Sequence, residues 1–88
     1  MKPLLVGLRA KVLDPAFDFH RAQDDITMTL CGDPWHPGGC HWPHMSMAFV
    51  HRRSAGLDVY FEAPRTEVEH VTDLVRAALA ARGFTRIR

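Results

Sequence analysis

The 88-residue chain is poor in cysteine and in tyrosine, with two of the first and one of the second, and its net charge of one sign is small. Two cysteines cannot build the multi-bridge framework of a small secreted domain. The apolar run Pro3 to Leu8 stops at Arg9, far short of a membrane span and too short for a signal h-region, so no membrane partner is expected. Lys and Arg total 11 against 10 Asp and Glu, a formal charge of +1. That lacks the basic excess of a protein that coats DNA or RNA, and no nucleic-acid partner is expected from it. A cytoplasmic protein is the default for such a composition.

What is present is enough to fold. A hydrophobic fraction of 47% with 24% charged residues is ordinary for a globular chain and unlike the polar composition of disordered segments. At this length one core, and hence one domain over 1–88, is expected. Six histidines make the charge rise as pH falls through about 6.5.

Apolar periodicity outlines the elements. Leu4, Val6, Leu8, Ala10 and Val12 alternate with Arg9 and Lys11 as on a strand. Asp14-Pro15 breaks that run. Residues 16–23 fit either a strand, through Phe17 and Phe19, or a short helix started by Pro15; the strand is slightly favoured. Ile26, Met28 and Leu30 against Thr27, Thr29 and Cys31 read as a further strand. Met45, Met47 and Phe49, taken as inward, alternate with Ser46, Ala48 and Val50, and after a turn at Arg53 to Gly56 the pattern resumes with Leu57, Val59 and Phe61. The last long element is a helix over about 66–82. Thr66 and Glu69 have capping-box spacing, Val71, Val75 and Leu79 make a buried stripe, and Gly83 is placed to end it. Phe84 to Arg88 can add a short final strand.

These elements imply an α+β fold: an antiparallel sheet of four to six strands, with a meander over 26–62, covered on one face by one long C-terminal helix. If residues 15–23 are helical, the arrangement becomes ferredoxin-like. Such a fold by itself implies no function.

The unusual chemistry lies in residues 31–44, Cys-Gly-Asp-Pro-Trp-His-Pro-Gly-Gly-Cys-His-Trp-Pro-His, which hold both cysteines, both tryptophans and three of the six histidines. An irregular loop of this length in so small a domain usually has a task. Trp35 and Trp42, with His36 and His41, suit a protein-binding surface, because exposed tryptophan is the residue type that dominates interface energetics. The basic run His51-Arg52-Arg53 makes Arg52 and Arg53 further contact candidates; as a plain solvated face it needs no partner.

The same loop offers Cys31, His36, Cys40 and His44, ligand types that close a tetrahedral zinc site, but in a spacing that matches no familiar zinc motif. A cysteine nucleophile with His36 or His44 as base is a third reading; no helix start obviously follows Cys40 to lower its thiol pKa. The expectation is therefore a small non-catalytic binding module, of the inhibitor, immunity or accessory-subunit type. It would act on another protein or a second copy of itself, without a cofactor; zinc is the alternative.

Overall fold

A computed structural model describes residues 3–12, 17–31, 42–51 and 54–88. The elements follow in the order β1 (Leu4–Val12), α1 (Phe19–Cys31), β2 (His44–His51), β3 (Ser54–Ala63), α2 (Val68–Ala81) and β4 (Arg86–Ile87). The strands form one sheet in the order β2-β3-β1-β4, and every neighbouring pair is antiparallel. This is the α+β sheet expected, in its ferredoxin-like form of two interleaved β-α-β units.

Two helices, rather than one, cover the sheet. The stretch read as strands from 16 to 31 is mostly α1, and the reason is local. Ile26 and Leu30 fit a helix as well as a strand, because they stand four apart, and Ala22 extends the same stripe; all three are buried. Met28, the residue a strand would have turned inward, is 52% exposed. Asp18 supplies the start signal, its Oδ1 accepting the Arg21 amide at 3.1 Å as an N-cap does. Thr29 is reconciled to the helix by donating its hydroxyl to the Asp25 carbonyl at 2.8 Å.

Helix α2 buries Val71, Val75 and Leu79 as expected. It begins later than the capping-box reading, since the Glu67 amide donates to the Pro64 carbonyl at 2.8 Å. Glu67 is then the N-cap and no side chain caps it. The other end is a complete Schellman motif. Gly83 has φ 93°, its amide donates to Ala80, and the Phe84 amide reaches back to Leu79. A glycine is required there, because other residues rarely hold a left-handed φ.

Behind the helices the core gathers Leu8, Ala10 and Val12 from β1 with Ala55, Leu57, Val59 and Phe61 from β3. Strand β3 starts earlier than the sequence suggested, so Gly56, expected in a turn, lies inside the strand opposite Phe49 and Lys11. The phase of β2 is also the reverse of the reading that placed Met45, Met47 and Phe49 inward. They pair with Tyr60, Asp58 and Gly56, on the face away from the helices. Leu57 and Val59 of β3 fix the buried side, and the residues opposite them, Ala48 and Ser46, must share it.

Two arginine–aspartate pairs brace the molecule. Arg82 at the end of α2 grips Asp25 of α1 through Nε and Nη2, which holds the Asp25 carboxyl below its ordinary value. On the other side of the sheet Arg9 donates Nε and Nη2 to Asp58, at 2.8 and 3.0 Å.

Candidate functional site

Of the loop candidates, Trp35, His36, Cys40 and His41 lie outside the described residues, as do Arg52 and Arg53. Cys31, Trp42 and His44 are described. Trp42 is half-buried and packs against the core. Its indole Nε1 donates to Glu67 Oε2 at 3.4 Å, and the His70 ring meets it edge-on with centroids 6.4 Å apart. The loop's exit is thereby fastened to the first turn of α2.

His44 follows with Nδ1 3.1 Å from the Trp42 carbonyl and Nε2 3.5 Å from the Thr27 hydroxyl. A carbonyl only accepts, so Nδ1 donates this bond, and the Thr27 hydroxyl can pair with Nε2 as donor or acceptor. Cys31, at the end of α1, is disulfide-bonded. A disulfide sulfur is not the thiolate that zinc coordinates. Among the described residues no three His, Cys, Asp or Glu side chains converge as a metal would require.

The fold exposes a second surface that the loop did not announce. Both helices lie on one face of the sheet, and among the described residues nothing covers the opposite face. On β2 and β1 it presents Met45 and Met47, each 55% exposed, and Leu5, 70% exposed. A cavity of about 140 Å³ beside them is lined by Leu5, Pro43, Met45, Tyr60 and Glu62, among others. It lies where Pro43 and His44 lead into β2.

Two aromatic rings lie across this face over glycines. Tyr60 sits opposite Gly7, where a Cβ would come within 2.9 Å of the ring. Phe49 sits opposite Gly56, and a Cβ there would run into both the Phe49 ring and the Ala10 carbonyl. The Arg9 guanidinium caps Phe49 at 4.7 Å from the ring centroid, a cation–π contact on top of its pairing with Asp58.

At the far end of the face Arg9, Lys11, Arg86 and Arg88 line a cavity of about 150 Å³. Arg86 and Arg88 were not singled out by sequence. The signal was there, however: Arg86-x-Arg88 on a final strand repeats the spacing of Arg9-x-Lys11, and antiparallel pairing sets the two rows side by side. No helix of the described residues is long and apolar enough to cross a membrane. Compared with protein-family models, with curated proteins and with solved structures, the chain matches none.

Proposed function

We propose that the chain is a small non-catalytic binding module that works through protein contacts, with another protein or a second copy of itself. The contact surface is the 31–44 loop together with the apolar end of the open sheet face. One observation carries the reading: Leu5, Met45 and Met47 stand more than half exposed on a face that neither helix covers. Apolar side chains gathered on an uncovered face favour association, because burying them removes apolar area from water. By sequence the loop carries Trp35, His36 and His41, and Arg52 and Arg53 follow β2 in the chain. Trp42 is the loop's anchor, since it already packs on the core.

The compartment enters through Cys31. A disulfide persists in an oxidising compartment and opens in the reducing cytoplasm, so a cytoplasmic module would carry Cys31 as a thiol. Only that thiol form could join His36, Cys40 and His44 around zinc.

The test is a pair of neutral substitutions, Met45→Gln with Met47→Gln, and separately Trp35→Ala. Sedimentation across a concentration series reads self-association, and affinity capture from the native host reads a partner. Either association should weaken by about 2 kcal/mol or more, as expected for central interface residues, while the melting temperature stays close to that of the parent. A parent that is monomeric at all concentrations and captures nothing that the variants fail to capture would overturn the reading.

A further inference from the structure

We propose that the corner of the open face formed by Arg9, Lys11, Arg86 and Arg88 holds phosphates of a single-stranded nucleic acid, and that a neighbouring base stacks on Tyr60. The inference rests on the cation corner rather than on the apolar end that the protein-contact reading uses; Tyr60 lies between the two and also lines the apolar cavity.

The first support is an arrangement that the fold does not need. Lys11 is directly opposite Arg86, and Arg9 and Arg88 exchange both backbone hydrogen bonds, at 2.7 and 2.9 Å, so they too are directly opposed. Like charges facing each other across strands destabilise a sheet. Two such pairs in succession, on one face, place four cations around one cavity. Asp58 answers Arg9 alone; among the described residues Lys11, Arg86 and Arg88 are in no ion pair. An anion is the occupant that relieves this repulsion, and arginine forks suit phosphate oxygens. The net charge of +1 conceals this because five of the ten acids lie on or beside the helices, Glu67, Glu69 and Asp73 at α2 and Asp24 and Asp25 on α1, while Asp58 and Glu62 are the acids of the open face.

The second support is the alignment along β1. Positions 7, 9 and 11 stand in line on the open face, about 7 Å apart at strand rise. The Tyr60 ring rests over position 7, and the two cation pairs stand at 9 and 11. Successive phosphates of an extended strand can follow the two pairs while the next base lies on the ring. Tyr60 is held against the sheet by Gly7 and is 37% exposed, as a stacking platform must be. A carboxylate-bearing peptide would satisfy the cations but leave the ring unused. A duplex keeps its bases stacked inside, so the partner is single-stranded.

The experiment uses fluorescence anisotropy with a labelled oligouridylate of about 12 nucleotides, the DNA of the same length, a duplex of the same sequence, and polyglutamate as competitor. Saturable binding of the single strands is expected. Its logarithm should fall with log salt at a slope of about −2 to −3, the value for three or four phosphates on a single strand. Arg86→Gln with Arg88→Gln should weaken binding about tenfold or more and flatten that slope by about 1.4. Tyr60→Ala should weaken it about fivefold or more with the slope unchanged, which a general loss of charge or fold would not produce. Circular dichroism melts of each variant confirm folding.

The proposal falls if no saturable binding is seen to about 100 μM protein at about 50 mM salt. It also falls if the Arg86/Arg88 variant binds like the parent. Displacement by polyglutamate at equal charge, with Tyr60→Ala binding as the parent does, would instead assign the corner to acidic protein segments. Met47→Gln alone, at a residue that does not line the Tyr60 cavity, should leave oligonucleotide binding intact, so this inference and the protein-contact reading can fail separately.

Discussion

The covered face of the sheet and its open face are made by alternate residues of the same strands, and they obey opposite rules. Behind the helices Ala10, Leu57, Val59 and Phe61 are wholly buried, and Val71, Val75 and Ile26 meet them at 1% exposure or less. No charged or polar residue is among the buried ones described. Across the sheet the neighbours of those same residues are Arg9, Lys11, Asp58 and Tyr60. One face is governed by packing, where shape and volume decide. The other is governed by charge and by rings lying on glycines, and two of its cation pairs oppose folding. Both proposals use the open side, where side chains are placed against the demands of stability.

The sharpest way to break the contrast is on the covered side. Val75 is fully buried, and Val75→Asp would place a carboxylate where the described core offers no partner. That costs several kcal/mol, comparable to the whole stability of a small domain, so the variant should be unfolded by circular dichroism at room temperature. A variant that melts within a degree or two of the parent would show that the stripe is not core.

The two arginine–aspartate pairs sharpen it next. Arg82 holds the Asp25 carboxyl below its ordinary value, so the pair stabilises the fold above the unfolded carboxyl pKa. That contribution is lost as pH falls through the lower folded value. Both side chains are more than a third exposed, which keeps the effect well below that of Val75→Asp. Asp25→Asn should lower the melting temperature modestly at pH 7 and remove part of the parent's decline below about pH 4. Parallel parent and variant profiles throughout the acid range would show that Arg82 does not select the charged carboxylate.

The same contrast explains what could be read from sequence. The stripe Val71, Val75, Leu79 and the strand Leu57, Val59, Phe61 were legible because burial imposes a period, and the α+β class followed. Helix α1 was obscured because Ile26 and Leu30 satisfy both periods and threonines favour strands; only Ala22 and the Asp18 cap separate the two readings. The phase of β2 was obscured because both its faces carry apolar residues, Met45 and Met47 on one and Ala48 and Val50 on the other. The basic corner is a property of pairing. Arg86 and Arg88 lie 77 and 79 residues beyond Arg9 in the chain, and only the β1–β4 register makes them one group. The loop is conspicuous by composition, but composition carries no geometry.

The smallest effect tests the open face alone. Lys11→Glu converts the facing pair with Arg86 from like to opposite charge, and the altered side chain lies away from the core formed by Ala10 and Val12. Exchanging a repulsive cross-strand pair for an attractive one should add roughly 0.2–1 kcal/mol, a rise of a few degrees in melting temperature for a domain of this size. The gain should shrink as salt rises from about 0.1 to 1 M, where screening shortens from about 10 to 3 Å. The same substitution should weaken oligonucleotide binding, since it removes a cation from the corner and adds an anion. A more stable protein that binds less well is the signature of repulsion retained for a ligand. If Lys11→Glu instead destabilised the fold at low salt, the opposed cations would not be a source of strain, and the open face would lose the property that sets it apart from the covered one.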